Sequence, residues 1–77
     1  MKLRAYLEKH GLSQEDFAKR FDPPVSQGLV WQWLQWLDDE TKGTRITAER
    51  AKEIETITGG EVTRHELRPD LYEERAA

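Results

Sequence analysis

Between Ser26 and Leu37 the chain reads SQGLVWQWLQWL, which holds three glutamines, all three tryptophans and no charged residue. Amides near the start of a helix suit one chemistry in particular, since a glutamine can pair bidentately with adenine N6 and N7 on the major-groove edge. A 100° projection places Val30, Trp33, Leu34 and Leu37 on one face, the i, i+3, i+4, i+7 pattern of a helix packed on a core. Gly28, Gln32 and Gln35 lie opposite, with Gln27 and Trp31 on one flank of that polar face and Leu29 and Trp36 on the other. The bland alternative for the three glutamines is solvated helix surface. Spacing alone favours that alternative.

Other chemistry finds little to work with. His10 and His65 are the two histidines, both in charged surroundings, and there is no nucleophile–base spacing, metal-ligand pattern or glycine-rich phosphate loop. No catalytic residue, metal, cofactor or small-molecule substrate is therefore assigned. The absence of cysteine excludes disulfides and thiolate metal sites.

The elements that would position the Ser26–Leu37 helix can be read from the start of the chain. Lys2 to His10 predicts a helix with Leu3, Tyr6 and Leu7 inward, ended by Gly11. Ser13 caps a second helix from Gln14 to about Phe21, with Phe17, Ala18 and Phe21 inward and Glu15 and Asp16 in its first turn. Asp22, Pro23 and Pro24 must stop it, because a proline disfavours helical geometry in the residue before it. Ser26 then caps the uncharged helix. Two short helices joined by a tight connection, with small Ala18 in the first, predict a helix-turn-helix.

Beyond Leu37 the segment 38–45 begins acidic, with Asp38, Asp39 and Glu40, and ends basic; it is expected to form a mobile loop. Thr47 caps a fourth helix reaching about Thr58, with Ala48, Ala51, Ile54 and either Ile57 or Thr58 inward, and Gly59 and Gly60 stop it. Thr63-Arg64-His65-Glu66 fits a capping box that opens a short fifth helix ended by Pro69. Val62 and Leu67 anchor it, and residues 73–77 are expected to be a flexible tail.

The run Leu12-Ser13-Gln14-Glu15-Asp16-Phe17-Ala18, followed by Val25 to Val30 and then Gln32-Trp33-Leu34, resembles the helix-turn-helix of small Cro-type phage and prophage regulators. Downstream, Arg45 to Ala51, Ile54-Glu55, Thr58-Gly59-Gly60 and Thr63 to Leu71 resemble the YdaS branch of that group. The resemblance implies an all-α, five-helix, lambda-repressor-like domain over residues 1–72. It also implies a sequence-specific transcriptional regulator, a Cro-like repressor, bound as a homodimer to a double-stranded DNA operator. Base reading then falls to Gln27, Gly28, Trp31, Gln32 and Gln35, and phosphate contacts to Gln14, Lys19, Arg20, Ser26, Lys42 and Arg45. The chain departs from the pattern in a turn about two residues longer, in Trp31, and in the length of the 38–45 link.

Size and charge bound these expectations. The 77 residues make one small domain with room for one core. Net charge is −3, distributed as +1 over residues 1–22, zero over 23–37 and −4 over 38–77. An acidic total opposes indiscriminate nucleic-acid binding, which relies on lysine and arginine at phosphates. The 15 uncharged residues from Pro23 to Leu37 fall short of a membrane span, and Met1 to His10 does not read as a secretory leader, so a cytoplasmic protein is expected. A second functional class stays open: a protein-interaction module, such as a toxin–antitoxin component or an anti-repressor, that uses Trp31 and Trp36. Trp36, Leu71 and Tyr72 are the residues assigned to a partner interface.

Overall fold

The computed structural model describes residues 1–72, so the expected flexible tail at 73–77 lies outside the described residues. Five helices follow in order: α1 (Leu3–Lys9), α2 (Gln14–Ala18), α3 (Gln27–Asp38), α4 (Ala48–Ile57) and α5 (Arg64–Leu67). No strand occurs among the described residues, and the fold is all-α.

Local chemistry accounts for the helix boundaries. α1 ends where Gly11, at φ +62°, gives its N–H to the Glu8 carbonyl while Leu12 gives its own to Leu7, the paired bonds that satisfy a terminating helix. Ser13 opens α2 with a complete capping box: its hydroxyl accepts the Asp16 N–H at 3.0 Å, and the Asp16 carboxylate accepts the Ser13 N–H at 3.3 Å. Ser26, Thr47 and Thr63 cap α3, α4 and α5 in the same sense, each hydroxyl accepting the N–H three residues on.

α2 is three residues shorter than its sequence predicts. The helical ladder stops after Lys19, where the N–H of Arg20 turns to the Phe17 carbonyl and that of Phe21 to Ala18, three residues back in place of four, and the N–H of Val25 returns to the Ala18 carbonyl at 3.1 Å. Phe21 is nevertheless buried as expected.

One core joins all five helices. Tyr6, Phe17, Phe21 and Trp33 form a chain of tilted and edge-on ring contacts with centroids 5.5–6.3 Å apart. Leu3, Leu7, Ala18, Val30, Leu34, Ala51, Ile54, Val62 and Leu67 fill the space around it. Ile46, in the link after α3, is fully buried as well. Leu37 is only half-buried, and at the end of α4 it is Thr58 rather than Ile57 that turns fully inward. Its hydroxyl has one proton to share between the carbonyls of Glu55, 3.2 Å away, and Val62, 3.3 Å away, and it accepts the Val62 N–H, so its burial does not leave it unpaired.

The link 39–45 is anchored, against the expectation of a mobile loop. The Asp39 carboxylate accepts both the N–H and the hydroxyl of Thr41, and Lys42 gives its N–H to the Asp39 carbonyl. Thr44 gives its N–H to the Gln32 carbonyl on α3 at 3.2 Å.

Candidate nucleic-acid interface

Ala18, buried between α2 and α3, leaves space for the two helices to pack closely, with Val30 and Trp33 beneath. The same packing brings the first turns of α2 and α3 to one open groove, lined by Gln14, Gln27 and Trp31 together with Arg4, Glu8 and Glu15. Gln27 and Gly28 are exposed, and Trp31 is 46% exposed, an unusual setting for a tryptophan. No Cβ neighbour crowds Gly28 apart from its own cap, Ser26, at 3.9 Å. Here α3 is open to a ligand.

Further along α3 the surface is partly covered. Gly43 sits against the solvent side of the helix at φ +66°, so close that a Cβ there would lie 2.2 Å from the Gln32 carbonyl oxygen and 2.8 Å from the Trp36 nitrogen. Gln35 Cβ would be 2.9 Å away. Gln32, Gln35 and Trp36 are consequently half-buried. The structure therefore brings Gln14, Gln27, Gly28 and Trp31 together and sets Gln32 and Gln35 apart, beneath the link.

The residues assigned to phosphate divide similarly. Ser26 spends its hydroxyl on the Leu29 N–H, as a cap should. Lys19 pairs with Glu15 at 3.5 Å, whereas Arg20 and Lys42 are exposed and form no ion pair among the described residues. Arg45 lines a separate recess with Trp36, Glu40, Arg68 and Asp70. Arg4, which sequence reasoning missed, borders the groove and is held by Asp38 at 2.7 Å. Asp16 keeps its carboxyl below the ordinary range because the Ser13 hydroxyl and N–H bond to it, so a fixed negative charge stands at the start of α2.

Of the residues assigned to a partner, Trp36 and Tyr72 have partners within the domain. The Arg68 guanidinium lies over the Trp36 ring, 5.9 Å from its centroid. Tyr72 lies beneath the Arg64 guanidinium at 5.5 Å, its hydroxyl donates to the Ala48 carbonyl and its own carbonyl contacts His65 Nδ1 at 2.6 Å. Leu71 is 50% exposed.

The profile of the family described as bacterial toxin YdaS matches residues 3–76. The chain belongs to that family. No curated protein and no solved structure matches it. YdaS membership points to a small phage-type regulator or toxin-like protein, and it covers the helix-turn-helix and the α4–α5 region alike. In this YdaS-family chain no cluster of three or more histidine or carboxylate side chains among the described residues is placed to hold a metal ion. No helix among them is long and apolar enough to cross a membrane.

Proposed function

We propose that this protein is a sequence-specific DNA-binding regulator that inserts the first turns of α3 into the major groove. The observation that carries the reading is the open, uncharged N-terminal surface of α3, where Gln27, Gly28 and Trp31 stand beside Gln14 on a helix-turn-helix scaffold. Helix-turn-helix proteins read base edges with this part of the second helix. Gln27 supplies an amide for adenine, Trp31 an apolar surface for a thymine methyl or sugar, and Gly28 a close backbone. Arg20 and Lys42 supply charge for flanking phosphates. So few cations make a single copy a weak binder, and a homodimer on a two-fold operator doubles both the base contacts and the charge.

The test is selection of bound sequences from random duplex DNA at low salt, followed by titration of the winner. Enrichment of a two-fold sequence, with Gln27→Ala weakening its binding by about 1–3 kcal/mol at unchanged thermal stability, is the expected result. Absence of enrichment overturns the reading.

One observation favours a second reading. The groove that exposes Trp31 also carries Glu8 and Glu15, and a half-exposed indole beside carboxylates is a natural anchor for a basic protein partner, in keeping with the family's toxin description. On that reading Trp31→Ala abolishes a protein complex and DNA selection fails.

A further inference from the structure

Deepening the DNA-binding reading on which it rests, we infer that the 39–45 link is a collar that confines base reading to the first turns of α3, and that Gly43 is the positioning residue that seats it. Three observations converge on this assignment. The helical projection places Gln32 and Gln35 on the face opposite the core, the face a recognition helix would offer to bases along its length. Gly43 occupies that face, with room for no side chain between it and the backbone of Gln32 and Trp36. Thr44 fixes the contact through its N–H to the Gln32 carbonyl, and two residues on, the link plunges into the core at Ile46, whose carbonyl is bonded by Arg68.

The consequence is a short reading head. A helix whose solvent face is partly covered from Gln32 to Trp36 enters the groove by its end, with Gln27, Gly28 and Trp31 at the tip. The collar also keeps exposed Lys42 beside the Gly43 contact with α3, available to a flanking phosphate. Specificity in this chain is accordingly set by where the link stops the helix as well as by which amides the helix carries.

Gly43→Ala and Gly43→Asn both place a Cβ where none fits, while asparagine tolerates the left-handed φ; equal effects from the two isolate the close approach from the backbone angle. In the DNA-free protein, exchange of the Thr44 amide should be slowed about tenfold or more in the wild type, and that protection should be lost in both variants. On selected DNA, Gln35→Ala should change wild-type binding by less than about twofold, the range of a surface substitution. Gln27→Ala should change it by about fivefold or more. In the Gly43→Ala background Gln35→Ala should shift the preferred sequence. The collar is overturned if Gln35→Ala costs the wild type as much as Gln27→Ala does, or if Gly43→Ala leaves both Thr44 exchange and sequence preference unchanged. A wild type that enriches no sequence overturns the DNA reading and the collar's role with it, while Thr44 exchange still reports separately whether the link is seated.

Discussion

The two halves of this molecule are held together by different forces. Residues up to Leu37 rely on apolar and aromatic packing, with Tyr6, Phe17, Phe21 and Trp33 in ring contact and serine caps at the starts of α2 and α3. Residues after Leu37 contribute Ile46, Ala51, Ile54, Val62 and Leu67 to the same core, but their loops and short helix are tied by ionic clasps. Glu55 accepts the Arg64 N–H at 2.8 Å and its guanidinium at 2.9 and 3.1 Å. Arg68, only 7% exposed, bonds the Asp70 carboxylate through two nitrogens and the Ile46 carbonyl through the third at 2.8 Å. Among the described residues six carboxyl groups are held below their ordinary values, Asp39, Glu55, Glu61, Glu66 and Asp70 in the second half and Asp16 in the first. Glu61 takes its cations, Lys9 and His10, and Glu66 the Met1 amino group, from the first half, so these two bind α1 across to the second. Packing dominates α2 and α3, while the second half adds directed polar bonds, within itself and to α1, to its share of the common core.

The sharpest challenge to this contrast is removal of the ring at its centre. Trp33→Ala empties the space against Phe21 and Val30 and should cost about 3–5 kcal/mol. For a domain of this size, whose whole stability is of the order of 4–12 kcal/mol, urea denaturation should place the variant near or below its folding threshold. The cost should be nearly independent of salt. A loss below about 1 kcal/mol would mean that the aromatic chain is not what holds the first half.

Arg68 is the corresponding test of the second half. Arg68→Ala leaves the Ile46 carbonyl without its donor inside the domain and should cost about 1–3 kcal/mol. Arg68→Lys should recover little, because a point ammonium cannot reproduce a fork that serves Asp70 and Ile46 at once. Asp70→Asn should cost less than about 1 kcal/mol, since the carboxylate is largely exposed and screened. Trp36 fluorescence gives a local readout, as the guanidinium leaves its ring in the alanine variant. An alanine variant as stable as the wild type would reduce the clasp to decoration.

The same division explains which features were legible in the sequence. Periodicity and caps act within a few residues, so Ser13, Ser26, Thr47 and Thr63 and the faces of α1 to α4 could be read directly. The early end of α2 was missed because apolar Phe21 continues its pattern, while the bond that ends it comes from Val25, beyond the prolines. The anchored link was missed for a related reason: acidic composition suggested solvation, and nothing local shows that Gly43 fits only against Gln32 and Trp36. Gln27, Gly28 and Trp31 could be placed on an open surface from the helix start alone. The partial covering of Gln32 and Gln35 could not, because it is imposed by residues about ten positions away in the chain. Arg68 likewise reads as one more surface cation until Ile46, 22 residues earlier, is brought beneath it.

The smallest expected effect concerns acid. Glu55 is held below its ordinary value near 4.5 first by the Arg64 N–H and then, against the opposing cost of burial, by the Arg64 guanidinium. A carboxyl whose folded pKa is depressed is protonated more readily in the unfolded chain. Its contribution is therefore fully present above the unfolded value and disappears as pH falls through the folded one. The urea midpoint should thus be flat from neutral pH down to about 5 and then decline. Glu55→Gln should lower the plateau while making the decline shallower, because the glutamine variant has already lost what acid would remove. Asp70 and Glu61 keep part of the slope, since each is held down by its own cation, Arg68 for one and Lys9 with His10 for the other. Trp33 carries no proton, so a partly destabilising Trp33→Phe should shift the whole curve downward without changing its shape. If Glu55→Gln moved the curve in parallel as well, the second half would be held by packing too, and the contrast between the halves would collapse.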